Sequence, residues 1–170
     1  MIEQSTKFTG LYRGVVVSAI DPLDRGRLLV KVSDVLGDLP AIWAEPATPL
    51  ATPGGGGIYV RPLPMAGVWI GFEEGDPERA VWLGFWRGGK HEVPAEVNAA
   101  LPGVPVMVLA TSAQNAIVLN DSPGGGLTLR HGTALISITD AGILLSNGKG
   151  ATITLAGNTV SVNGPALQVT

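Results

Sequence analysis

From residue 116 onward the chain repeats one small pattern. Two apolar residues stand at i and i+2, and a turn rich in Gly, Asn or Asp separates each pair from the next. The pairs are Ile117/Leu119, Leu127/Leu129, Ile136/Ile138, Ile143/Leu145, Ile153/Leu155, Val160/Val162 and Leu167/Val169. Their first members step by 10, 9, 7, 10, 7 and 7 residues. A period of two belongs to strands, so each pair predicts a short strand with one apolar face. Ser137, Thr154 and Ser161 sit between partners and make the opposite face polar. From residue 134 onward the only charges are Asp140 and Lys149.

Seven tiny strands in so few residues cannot bury such a strip alone. The units are also too short for a three-sided coil built from one chain, which takes about 20 or more residues per turn. Self-association is the better solution. Three identical chains can form a triangular β-prism with the doublets inside. The expected core of that needle is Leu127, Leu129, Ile136, Ile138, Ile143, Leu145, Ile153, Leu155, Val160, Val162, Leu167 and Val169.

The first half has a different texture. Residues 8–32 predict a hairpin: LYRGVVVSAI, the turn DPLDRG, then RLLVKVSDV. Asp-Pro suits the turn because Pro presets φ while Asp accepts from the backbone ahead of it. AIWA (41–44) is a further short strand, followed by the loop EPATPLATPGGGG. Strands resume at IYVR (58–61), GVWIGF (67–72) and AVWLGFW (80–86). No segment keeps a helical period over three turns. Five or six short strands in this span predict a small antiparallel barrel. The expected division is a barrel over 1–90, a linker over 91–112 and a needle over 113–170.

Composition narrows the function. The 170 residues are 45% hydrophobic and 15% charged, with a net charge of −3. That balance lacks the basic stripe a nucleic-acid partner calls for. With no cysteine, disulfides, cysteine–zinc sites and thiol nucleophiles are excluded. The N-terminus lacks the basic and apolar regions of a secretory signal, and no apolar run reaches membrane-spanning length. Assembly in the cytoplasm is the matching expectation.

The densest candidate chemistry is GFEEGDPERAVWLGFW, residues 71–86, where Glu73, Glu74, Asp76 and Glu78 crowd together. A catalytic carboxylate pair needs one member in an apolar pocket. A Gly-Asp-Pro turn between two strands is a poor place for that, and Gly75, Asp76 and Pro77 read as the tip of a barrel hairpin. The calcium-loop spacing is absent. His91 and His131 stand forty residues apart, without H-x-H or H-E-x-x-H. Gly54–Gly57 and Gly124–Gly126 lack the GK[ST] of a phosphate loop, and there is no G-x-S-x-G elbow. The expectation is no enzyme, no metal and no cofactor. Trp43, Trp69, Trp82 and Trp86 leave one rival, a barrel that stacks single-stranded nucleic acid on exposed rings. A tail-associated cell-wall hydrolase is a second.

The order of these pieces resembles a known family. GRLLVKV, IWAEPATP and GGGGIYVRPLPMAGVWIGFEEGDPERAVWLGFW are similar to the OB-fold domain of contractile-injection spike proteins. That group comprises phage baseplate assembly protein V, the VgrG proteins of type VI secretion and the spikes of extracellular contractile particles. Gly26, Arg27, Val32, Trp43, Ala44, Pro64, Gly67, Val68, Phe72, Gly75, Asp76, Pro77, Leu83 and Gly84 match its pattern, while Ala80 replaces a usual Pro. AQNAIVLNDSPGGGLTLRHG is similar to the segment that starts the spike β-helix, with Asp121, Pro123 and Gly124 matching. The resemblance implies an all-β chain: an OB-fold barrel followed by an intertwined trimeric β-helix, or β-prism, needle. It also implies docking on a separate hub protein and transient contact with a target membrane. No H-x-H iron-binding tip is present, so a PAAR-type tip protein is expected at Leu167, Val169 and Thr170.

Overall fold

The computed structural model describes residues 6–111 and 113–169, with the side chains of Pro165, Gln168 and Val169 left out. The chain divides into two units, Met1–Gly88 and Gly89–Thr170.

In the first unit, β1 (Tyr12–Ser18), β2 (Leu28–Lys31), β3 (Ile42–Pro46), β6 (Gly67–Phe72) and β7 (Ala80–Trp86) close a five-stranded barrel in the order β1-β2-β3-β7-β6. A two-stranded hairpin, β4 (Ala51–Thr52) and β5 (Gly56–Gly57), lies in the long β3–β6 connection. The expected GVWIGF and AVWLGFW strands form with the predicted bounds. IYVR (58–61) does not form a strand. Its backbone is used locally instead: Ile58 N–H donates to the Leu50 carbonyl and the Thr48 hydroxyl donates to the Ile58 carbonyl. The barrel is also not wholly antiparallel. β3 pairs with β7 in parallel, Glu45 opposite Val81 and Pro46 opposite Trp82, and this pairing seals the sheet. A short helix α1 (Ser33–Leu36) replaces the expected end of the second strand.

Alternation builds the barrel core. Val16, Leu28, Val30, Val32, Val68 and Ile70 point inward and are almost wholly buried. Phe8, Tyr12 and Phe72 close one end with mutual ring contacts at 5.6–6.0 Å. Trp82 is buried and its indole N–H donates to the Gly26 carbonyl at 3.1 Å. Gly67 is required by the Trp86 ring, which lies 2.5 Å from where a Cβ would stand.

The second unit carries an eight-stranded antiparallel meander. Its strands are β8 (Val106–Ala110), β9 (Asn115–Asn120), β10 (Gly126–His131), β11 (Ala134–Thr139), β12 (Gly142–Ser146), β13 (Thr152–Ala156), β14 (Thr159–Val162) and β15 (Leu167–Val169). Each strand pairs with the next in sequence. All seven doublets fall on strands β9–β15. Residues 91–112, expected as linker, contain β8 and a short helix α2 (Ala95–Ala99). The chain is all-β in class, with an OB-type barrel and a strand sheet.

Candidate self-association surface

Turn chemistry fixes the register of the meander. The Asn147 carboxamide oxygen accepts from the N–H groups of Lys149 and Ala151, and the Asn163 oxygen accepts from Thr152 N–H. The pairing that results aligns the doublets into two continuous rows. One runs Met107, Leu119, Leu127, Ile138, Ile143, Leu155, Val160, Val169. The other runs Leu109, Ile117, Leu129, Ile136, Leu145, Ile153, Val162, Leu167. Alternation puts both rows on one face of the sheet. Between them, on the opposite face, runs Val108, Val118, Thr128, Ser137, Leu144, Thr154, Ser161, Gln168.

In the single chain the apolar face is open. Leu127, Ile143 and Val162 are half-buried, and the other row members with described side chains are 37–59% exposed. A contiguous apolar patch of this extent marks a surface that another protein covers. The opposite face is partly occupied near its start. Ala116 and Val118 are buried there, α2 packs on β8, and Glu96 of α2 forms an ion pair with Arg130 of β10. The Arg130 guanidinium also donates to the Ala113 carbonyl. The N–H of Glu96 itself and the Arg130 charge hold that carboxyl below its ordinary range, against the opposing effect of burial.

Met107 and Leu109 extend both rows by one strand beyond the sequence expectation. VMVLA holds the same i, i+2 doublet as the later units, but its Pro- and Gly-rich flanks read as linker. Of the expected tip-docking residues, Leu167 lies exposed on the last strand, Val169 pairs with Val160 through the backbone, and Thr170 lies outside the described residues.

The acidic segment between β6 and β7 is a hydrogen-bonded turn. Glu73 N–H donates to the Arg79 carbonyl at 3.0 Å, and the Arg79 guanidinium pairs with the carboxylates of Glu73 and Glu74. The Asp76 carboxylate accepts from Glu78 N–H. Gly75 takes φ +78°, and an added Cβ would stand 2.9 Å from Lys7 Cβ. Its carbonyl accepts from Phe8 N–H. Among the described residues, no group of three His, Asp or Glu side chains could hold a metal ion.

A second carboxylate is more deeply engaged. Asp21, at the β1–β2 turn, accepts from the Arg27 guanidinium and from the backbone N–H groups of Leu23, Arg25 and Arg27. The Arg27 bond, then those backbone donors, hold its carboxyl well below the usual carboxylate range although burial opposes them. Asp21 in turn raises the Arg27 pKa. The Asp-Pro pattern marks only a favourable turn, and the Arg of GRLLVKV, six residues on, is the partner that the fold brings to Asp21.

The family model for the type VI secretion system and phage-baseplate injector OB domain matches residues 12–86, which is the closed barrel. The model for the phage baseplate V C-terminal trimerisation domain matches residues 106–168, which begins with β8 and ends in β15. The chain belongs to the phage baseplate V family. Its affiliation is with the baseplate of a phage tail or type VI secretion system, in a structural, spike-type role. The trimerisation match supports self-association of this baseplate V chain as a homotrimer, and the two apolar rows lie within the matched residues. Both matched domains are structural parts of an injector, which points away from catalysis. No curated protein matches the chain. No helix among the described residues is long and apolar enough to cross a membrane.

Proposed function

We propose that this chain is the central spike of a contractile injection machine. Three copies bring their apolar rows together about a common axis and form a rigid β-prism. The barrel unit docks on a separate hub protein at the end of the tail tube, and the prism is the needle that helps to pierce the target envelope. A PAAR-type protein covers the last strands at Leu167. The single observation that carries this reading is the pair of in-register apolar rows, exposed in one chain and continuous through the trimerisation domain.

Each chain then supplies one face of the prism. At about 4.8 Å between strands, eight strands make a needle roughly 35 Å long. The inner strands of the antiparallel meander pair their backbones with one another, so burial of the apolar side chains is the main drive to association. The barrel's indoles weigh against the nucleic-acid rival. Arg13 lies over Trp69 and Trp86, Arg27 lies over Trp43, and Trp82 is buried. A base-stacking platform needs ring faces that are free.

Deletion of the gene from a producing strain tests the proposal. Particles lacking the chain should fail to damage target cells, and electron micrographs should show baseplates without central spike density. Fully active particles, or intact spike density, would refute it.

A further inference from the structure

The barrel unit carries two apolar features on opposite flanks. The first is a projection. Ile20, Leu63 and Met65 are 81%, 77% and 80% exposed. They sit where β1 ends and β6 begins, and Met65 N–H is tied to the Val16 carbonyl at 2.8 Å. The second is a cleft of about 460 Å³ under the β3–β6 connection, with Leu50, Ile58, Tyr59, Pro46 and Leu83 in its walls. It opens along β3 and β7, whose parallel pairing places Pro46 beside Trp82. In the closed order β1-β2-β3-β7-β6, the projection lies at the β6–β1 seam and the cleft at the β3–β7 seam. Three strands separate the seams by one route round the barrel and two by the other.

A three-fold ring needs this arrangement. Every contact in it is heterologous, so one surface of each copy meets a different surface of the next, and the rotation closes after three copies. Two unlike, complementary patches per copy suit that symmetry; a two-fold dimer needs one self-complementary patch. The trimerisation domain on the same chain also holds the three barrels at high local concentration, so even a modest contact forms.

We infer that the three barrels of the trimer form a closed ring, in which the Ile20/Leu63/Met65 projection of each copy seats in the Leu50/Ile58/Tyr59/Leu83 cleft of the next. The trimer is then held together by contacts within each of its two units. This rests on the homotrimer in the proposed function.

The absence of native cysteine makes the test direct. The full-length chain is prepared as Met65→Cys, as Leu50→Cys and as the double variant, and each is oxidised and then run under denaturing conditions. The double variant should give covalent trimers and each single variant none, because neither residue meets its own copy. Thiol labelling of Met65→Cys should be slower in the trimer by an order of magnitude than in the same variant carrying Ile153→Asp. A double variant that stays monomeric on denaturing gels although light scattering shows a trimer overturns the ring while leaving the needle reading intact. Rapid Met65→Cys labelling in the trimer overturns it as well, and protection that appears only on adding purified hub protein gives the projection to that partner. A wild-type chain that is monomeric by light scattering refutes the needle reading first.

Discussion

Replacing Ile153 by Asp tests the apolar rows at one position. Ile153 stands between Leu145 and Val162 in its row, and in the isolated chain it keeps 40% of its surface exposed. Covering the remainder recovers less than half of the roughly 1.5–3 kcal/mol for burying an isoleucine, so about 1 kcal/mol per chain. Loss of that contact alone is modest. The introduced carboxylate is worse, because an unpartnered ionised group moved into apolar surroundings costs several kcal/mol. Three-fold symmetry brings three such groups together, and their repulsion adds to the cost. The combined penalty is on the order of 10 kcal/mol per trimer, or about seven decades in the association constant. At micromolar concentration the variant should therefore sediment as a monomer of 17.5 kDa. The barrel and the single-chain meander should persist, with an unchanged strand signature in circular dichroism. Acid should partly restore the trimer. The carboxyl's pKa in the assembly lies above its value in the free chain, so the assembled state gains as pH falls below that raised value and loses as pH rises through it. Ser137→Asp is the matched control, since Ser137 lies between Thr128 and Leu144 on the opposite face. It should remain trimeric. An Ile153→Asp trimer as stable as wild type, or loss of the trimer in both variants alike, would refute the assignment of faces.

Asp21→Asn should lower the melting temperature by several degrees, because the amide oxygen still accepts from some of the backbone N–H groups but the charge-assisted bonds from Arg27 are lost. In the wild type this contribution is complete above the unfolded pKa of about 4 and fades only in strong acid, because the folded carboxyl is held lower; a wild-type minus variant stability difference that does not shrink on strong acidification contradicts this. Gly67→Ala should destabilise the barrel by about 1–3 kcal/mol, since its Cβ overlaps the Trp86 ring at 2.5 Å; a chemical melt coincident with wild type contradicts it. Neutralising Glu74 and Glu78 to Gln should change stability by no more than about 0.5 kcal/mol and leave injection unaltered. A large loss of injection with normal stability would give the acidic turn a function.

The C-terminal strand sheet was legible because its signal is local. A period of two, interrupted by Gly, Asn and Asp, marks every strand from β9 to β15 without knowledge of what pairs with what. The register follows from the same pattern, since a one-residue slip would turn an entire row to the other face. β8 was harder: Met107 and Leu109 carry the doublet, but Pro102, Gly103 and Pro105 before them read as linker. In the barrel, GVWIGF and AVWLGFW were clear, and the Gly-Asp-Pro chemistry between them marks a break between two strands. The β3–β7 pairing was not visible, because it joins segments more than thirty residues apart and no local pattern reports a parallel seam. IYVR misled for the converse reason. Its β-branched and aromatic residues favour a strand, but no neighbouring edge receives it, and Ile58 and Thr48 bond within the loop instead. The Asp21–Arg27 pair needed the fold of the turn to bring six-residue separation down to contact.

The mass of the purified wild-type chain by native mass spectrometry bears most directly on the central claim, that the exposed apolar rows are the inside of a three-chain needle. Three chains give 3 × 17.5 = 52.5 kDa. A single species at that mass, persisting on dilution to nanomolar concentration, is the result the rows predict. A 17.5 kDa monomer, or a two-chain species, would contradict it.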